Sequence, residues 1–405
     1  MVTKQTNRRA DAAPRASVRP DLSDGGDDGL RSRNLQAALQ HVYRESVTTR
    51  AVLSRLTGLT RATMSELVAK LLTAGLVREA GLGTSSGGKR PTLLELNASG
   101  REIVAIDLSS RPFGGASVDL AGRINHRAHG RKGELQGAEA LQDVFRLVDG
   151  LVARADAPIL GIGVGTPGIV DEDGSVVEAS NLGWHGVALR RELAERMGHP
   201  VTVANDAHAG ALAELGADHN GNLVLVKVGV GIGAGIVVDG DLHLGDRPAA
   251  GEIGHIRVVE RGARCHCGNV GCLETVASVP SIVASAIAAS GRDGDVNSLP
   301  WSLDPLSTAL GEAPVRGAIA RAGRSLGAVL SHLVAILDIH RVVIALELAG
   351  AGEAFLAVVR DEVRKRVLPD LANAVEFTPG TTGSDLVLSG AAALVLRERL
   401  GVSWR

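Results

Sequence analysis

No run of eighteen apolar residues occurs in this chain of 405, so nothing in it reads as a membrane-spanning helix. A secretory signal is lacking too: "MVTKQTNRRADAAPRASVRPD" opens with positive charge, but no apolar stretch follows it. Cysteine is scarce, with three in the whole chain, an odd number that cannot close into a disulfide framework. These absences predict a cytoplasmic protein whose thiols stay reduced and free to bind metal. Net charge is small as well, at -2, but the balance hides a split. Residues 1–92 hold 15 Lys+Arg against 8 Asp+Glu, and the remainder holds 28 against 37. A basic head on an acidic body points to an anionic partner for the head. What is abundant is apolar side chain, at 45%, ample for two or three domains with cores of their own.

Residues 1–29 lack apolar periodicity, end in "DLSDGGDDG" and are expected to form a disordered tail. Residues 30–96 have a different texture. Val52, Leu53 and Leu56 make an apolar helical face, Gly58 interrupts it, and Thr60 can cap a second helix carrying Met64, Leu67, Val68, Leu71 and Leu72. The following "GLVREAGLGTSSGGKRPTLLELN" reads as two short strands around a Gly/Ser-rich loop, giving a winged helix-turn-helix. In a DNA complex the helix from Thr60 would enter the major groove, with Arg61, Thr63, Ser65, Glu66 and Lys70 on its polar side and Lys89 and Arg90 at the wing. From residue 97 onward apolar strands such as "REIVAIDLS", "APILGIGVGTPG" and "NLVLVKVGVGIGAGIVVDG" alternate with helical stretches, the pattern of a two-lobed α/β body with a cleft.

All three cysteines lie in "CHCGNVGC", residues 265–272. Cys265, Cys267 and Cys272 supply three thiolates, and one histidine would complete a tetrahedral Cys3His zinc site. His266 sits between two of the cysteines, where neighbouring side chains point apart. His255, in "AGEIGH" ahead of a strand-like "IRVV", is the better fourth ligand. A closed four-ligand site is structural and would pin a loop. Gly229, Gly231, Gly233 and Gly235 suit either a phosphate-binding turn or a tight hairpin.

The winged head, "GVGTPGIV", "ANDAHAGALAE", "VGVGIGAGIV", "AGEIGHIRV" and "CHCGNVGCLET", in that order, resemble the ROK family of repressors, open reading frames and kinases. The resemblance runs from Arg31 to the C-terminus. It implies the sugar kinase and actin-like ATPase fold, with ribonuclease-H-like lobes: lobe 1 at about 97–206 plus the C-terminal helix 385–405, and lobe 2 at about 207–384. It implies that Asn205 and Asp206 hydrogen-bond sugar hydroxyls and that Glu252, His255 and Glu274 complete the ring of contacts. A hydroxyl-rich ligand suits such a cluster of acceptors.

In sugar-phosphorylating members, the aspartate matching Asp206 is the general base. This chain departs from those kinases at their phosphate contacts. Ser109 and Arg111 stand in the Asp-x-Gly-x-Thr loop that begins at Asp107, Val230 replaces a threonine, and Ala345, Leu346 and Glu347 replace a glycine triplet. With the DNA-binding head, the resemblance implies a sugar-responsive transcriptional regulator, a repressor and not an enzyme, with zinc as cofactor and operator DNA and a sugar or sugar phosphate as partners. A homodimer or homotetramer would match a two-fold operator. The alternative is a sugar kinase with an accessory N-terminal domain. A third reading is a zinc-stabilised interaction module.

Overall fold

The computed structural model describes residues 33–84, 90–216, 221–291, 309–348, 350–380 and 383–404. The tail expected over 1–29 and Lys89 of the wing lie outside the described residues. The N-terminal unit opens with helix α1 (Arg33–Arg44), followed by the two-residue strand β1 (Thr48–Thr49) and helix α2 (Arg50–Thr57). Thr49 caps α2 through its side chain, and Gly58 ends the helix at φ 70, a left-handed conformation that costs other residues energy. Thr60 caps α3 (Arg61–Thr73) by accepting from Thr63 N at 3.2 Å. Strands β2 (Val77–Leu82) and β3 (Thr92–Leu96) pair antiparallel, and β1 adds to β3. This is a winged helix-turn-helix. Met64, Val68 and Leu71 face its core as expected, but Leu56 is 60% exposed.

Two five-stranded sheets follow, each with chain order 3-2-1-4-5. The first contains β4 (Glu102–Asp107), β5 (Gly114–Asp119), β6 (Ile124–His129), β7 (Ile159–Thr166) and β11 (Val201–Asn205), with a small sheet of β8 (Ile169–Val170), β9 (Val176–Ala179) and β10 (Trp184–Val187) beside it. The second contains β12 (Leu223–Val228), β13 (Ile232–Val238), β14 (Asp241–Leu242), β15 (Arg341–Leu346) and β16 (Glu376–Pro379). In each, three antiparallel strands are extended by two parallel ones, the ribonuclease-H-like order. β4, β5 and β12 are buried along their whole length, because both sheet faces are covered.

Helices α4 (Gly137–Val152) and α5 (Leu189–Met197) pack on the first sheet, and two helices lie between the sheets: α6 (Asp206–Leu215) and the C-terminal helix Leu386–Leu400. The latter is apolar nearly all round and is buried on most sides. Small residues let the two helices close up; a Cβ at Gly390 would overlap the Ala209 carbonyl. The head is joined to this body by one continuous core. Leu35, Leu39, Leu53, Met64 and Leu94 pack with Ile103, Ala116, Leu396 and Val402. After the C-terminal helix the chain runs past α1. Gln40 Nε2 donates to the Ser403 carbonyl at 3.1 Å and Ser403 N donates to Gln40 Oε1 at 2.9 Å, while the Trp404 indole donates to the Leu120 carbonyl at 2.9 Å.

Candidate functional site

The cleft between the lobes is floored by the start of α6. Asn205 is its N-cap, accepting from Ala207 N at 2.8 Å and His208 N at 3.2 Å, and its amide donates to the Gly168 carbonyl at 2.9 Å. Asn205 is buried and its side chain is committed to shaping the floor. Asp206 follows in the first turn, where a carboxylate is favoured by the helix dipole, and its side chain retains 14% exposure. Its Oδ2 lies 3.2 Å from Lys227 Nζ.

Lys227 is the penultimate residue of β12, a strand in which every residue is buried. Its second partner is Glu347 Oε1 at 2.8 Å, just beyond β15. Burial opposes the ammonium charge, yet Glu347, Asp206 and Asp107 together hold it above the usual lysine range. Asp107, at the end of β4, accepts from Ser109 N at 2.8 Å and Ser109 Oγ at 2.6 Å. Burial raises the Asp107 carboxyl, and Lys227 and Ser109 pull it partly back. Arg111 does not present a free cation: its guanidinium donates to the carbonyls of Leu108 at 2.9 Å, Ser110 at 3.1 Å and Asn181 at 3.4 Å.

The other wall is built from the loop after β14. Glu252, His255 and Glu274 converge there. Glu274 Oε2 accepts from Ile232 N at 3.2 Å, and His255 Nε2 lies 3.6 Å from Glu252 Oε2. Burial raises the Glu252 carboxyl, His255 lowers it, and Asp206 and Glu274 raise it further. Among the residues expected to contact sugar, Glu252 therefore stands within electrostatic reach of Asp206, His255 and Glu274, and Asn205 caps the helix that carries Asp206. Asn181 also faces this wall, since Gly231 lies against both its amide and Glu274. His208, one turn into α6, hydrogen-bonds the Ala250 carbonyl at 2.8 Å, and burial lowers its pKa.

Sequence reasoning missed Lys227, Asn181 and His208. Only Lys227 carried a signal, as the single charge inside the apolar run "NLVLVKV". It did identify the metal-ligand group. His255, Cys265, Cys267 and Cys272 each offer one ligand atom, all within 4.8 Å of one another, and His266 is not among them. Cys267 Sγ and Cys272 Sγ are 3.7 Å apart, and Cys265 Sγ is 3.6 Å from His255 Nδ1. A tetrahedral ion with metal–sulfur bonds of about 2.3 Å and a metal–nitrogen bond of about 2.1 Å requires edges of about 3.8 and 3.6 Å, so the four residues fit a metal. The "IRVV" segment forms no extended strand; a single bridge, Arg257 to Cys272, ties it to the cysteine loop. The Leu273 N to Ile256 carbonyl bond at 2.8 Å continues that tie.

In the head, Arg61, Thr63, Ser65, Glu66 and Lys70 are all exposed on α3. Thr60 spends its hydroxyl on the cap and on Thr63 Oγ1 at 2.9 Å, and Ser65 Oγ donates to the Arg61 carbonyl at 2.8 Å. Arg90 is exposed where the wing loop closes through Gly83 N and the Pro91 carbonyl at 2.8 Å. No helix among the described residues is long and apolar enough to cross a membrane.

A putative xylose repressor from Caldicellulosiruptor sp. (strain Rt8B.4) is 32% identical over 388 residues, covering 92% of this chain and 97% of that one. A crystal structure of a ROK family transcriptional regulator, a homologue of the E. coli MLC protein, superposes with a TM-score of 0.74 at 26% identity, over 90% of this chain and 97% of that chain. A ROK family glucokinase from Streptomyces griseus, in complex with glucose and AMPPNP, superposes with a TM-score of 0.63 at 26% identity, covering 98% of its own length but 72% of this chain. The ROK family profile itself matches residues 103–398. The chain therefore belongs to the ROK family.

Proposed function

We propose that the protein is a sugar-responsive DNA-binding transcriptional repressor that carries out no phosphoryl transfer. The observation that carries this reading is the single core shared by head and body, which joins the winged helix to the cleft. Asn205, Asp206, Glu252, His255 and Glu274 hold sugar hydroxyls, and Asn205 also caps the helix that positions Asp206. Zinc bound by His255, Cys265, Cys267 and Cys272 would be structural. It would fix the His255 ring so that Nε2 faces Glu252 and the cleft, and it would pin the loop leading to Glu274. On the DNA side, Arg61, Thr63, Ser65 and Lys70 of α3 meet the major groove, with Thr60 capping the helix that presents them and Arg90 reaching phosphates from the wing.

The coupling route is physical. Asp206 opens α6, α6 packs on the C-terminal helix, and that helix runs into the tail that clasps α1 at Gln40. A sugar that draws the lobes together shifts this stack and the head with it, weakening operator affinity by about 1–3 kcal/mol. Two chains would present paired heads to a two-fold operator. Xylose is the first sugar to try, because relatives of similar length carry the name xylose repressor. A thermal-shift screen of sugars, sugar phosphates and Mg-ATP tests the reading, followed by an operator gel shift with the stabilising compound. Stabilisation by a sugar, none by Mg-ATP, and release of DNA by the same sugar are expected. Sugar-dependent ADP production that is lost in Asp206→Asn would refute it in favour of a kinase.

A further inference from the structure

Between Asp206 and Glu214, helix α6 buries one polar side chain that neither metal nor DNA accounts for, His208. Its nearest neighbours in the helix are alanine and glycine, and a buried imidazole among them needs a partner. His208 makes two connections at once. Its backbone N–H donates to Asn205 Oδ1 at 3.2 Å, part of the cap that shapes the cleft floor. Its ring Nε2 lies 2.8 Å from the Ala250 carbonyl, an acceptor only, so the proton of this ring is on Nε2. Ala250 stands two residues before Glu252, and the segment between them is pinned on its other side by β13. The Gly251 carbonyl accepts from Ala234 N at 2.8 Å, and Gly251 has a φ of 95 and lies so close to Ala234 that a Cβ would overlap the Ala234 carbonyl oxygen. His255, three residues beyond Glu252, has a separate anchor in the metal-ligand group. Glu252 lacks one. Among the described residues its carboxylate has one ion-pair partner, the His255 ring at 3.6 Å, so its place is set by the backbone that leads to it.

We propose that His208 is a positioning residue for sugar binding: it fastens the Ala250–Glu252 segment to the helix that carries Asp206, so that the carboxylates on the floor and on the wall of the cleft meet one hydroxyl-bearing ligand at a fixed separation. The inference rests on the proposed sugar cleft and adds to it the group that holds its two sides together. Leucine at this position keeps the bulk but leaves the Ala250 carbonyl without its donor. Glutamine carries an amide N–H at about the reach of the imidazole Nε2 and keeps the bond.

Hydrogen exchange and calorimetry on the full chain test it, with the parent, His208→Leu, His208→Gln, Glu252→Ala and the His208→Leu/Glu252→Ala pair. Without sugar, the backbone amides of residues 250–255 should exchange faster than the parent's in His208→Leu and at the parental rate in His208→Gln. Titrated with a panel of aldoses and their phosphates, His208→Leu should bind the parent's preferred compound about tenfold more weakly, the loss expected from one hydrogen bond, and His208→Gln should stay close to the parent. Because the effect passes through Glu252, the double variant should bind no more weakly than Glu252→Ala alone. Zinc content and operator affinity without sugar should be parental in each His208 variant, and His208→Ala serves if the leucine variant does not fold. Parental exchange or parental sugar affinity in a folded His208→Leu, a glutamine variant as weak as the leucine one, or additive losses in the double variant would each overturn the proposal. A weakened Glu252→Ala beside an unaffected His208→Leu would sink only the positioning role. A parent that binds nothing in the panel, or a Glu252→Ala that binds like the parent, would sink the sugar cleft and the inference with it.

Discussion

Replacing Gln40 with alanine should cut communication between cleft and head while leaving each end working. The Gln40 amide makes two reciprocal bonds to Ser403, at 3.1 and 2.9 Å, in a half-buried setting. Neutral hydrogen bonds of this kind contribute about 0.5–1.5 kcal/mol each, so the clasp is worth about 1–3 kcal/mol. Alanine's slightly better helix propensity returns only a few tenths of that within α1. The sum matches the size of a typical allosteric coupling, about 1–3 kcal/mol, or roughly 5–150-fold in affinity. If the tail is the transmitting element, Gln40→Ala should bind operator like the parent without sugar and bind sugar like the parent without DNA. The ratio of operator affinities with and without saturating sugar should fall toward one. Gel-shift titration gives the ratio and calorimetry gives the sugar affinity. An unchanged ratio would refute the route. So would loss of operator binding in the absence of sugar, because the clasp would then be serving the fold of the head and not its control.

Arg61→Ala and Lys70→Ala remove exposed cations of α3, so each should weaken operator binding and lower the salt slope of log K by about one, with sugar binding unchanged; a parental slope in both would remove α3 from the interface. Cys272→Ser removes one of the two buried cysteines of the ligand group, and elemental analysis should show about one zinc per parent chain and far less in the variant, with lower thermal stability and sugar affinity through Glu274. A metal-free parent of full stability would end that idea. His208 is buried with a lowered pKa, so the unfolded chain takes up a proton that the folded chain resists: stability present above about pH 6.5 should be lost as pH falls below it. His208→Gln should flatten the melting temperature below about pH 6.5, and an identical pH profile in the variant would show that another group carries the effect.

What could be read from the sequence was whatever is encoded locally. Gly58 and Thr60 mark the turn of the helix-turn-helix because a left-handed glycine and a capping threonine act within a few residues. The metal group was legible because ligand chemistry restricts both residue type and spacing, and His255 followed from the geometric conflict at His266. The misses involve partners distant in the chain. Leu56 reads as core by periodicity, but no described element of the body or head covers its side of α2. Lys227 was visible as an oddity, whereas its partners lie at positions 206 and 347 and only the sheet order brings them together. The capping role of Asn205, beside its expected contact with sugar, is apparent only once β11 is seen to end there. The clasp of α1 by the tail left no sequence signal, since glutamine and serine are ordinary at both places.

That clasp also has a timetable. Gln40 and Ser403 are 363 positions apart, so on a ribosome adding about 5–20 residues per second the head waits roughly 20–70 s for its partner. During that interval α2 and α3 already have their caps, Thr49 and Thr60, but the core that Leu396 and Val402 complete stays open. Chains that stop short of residue 401 would keep it open permanently, losing Val402 together with Ser403, so a late nonsense mutation would be expected to lower the stability of the head as well as its response to sugar.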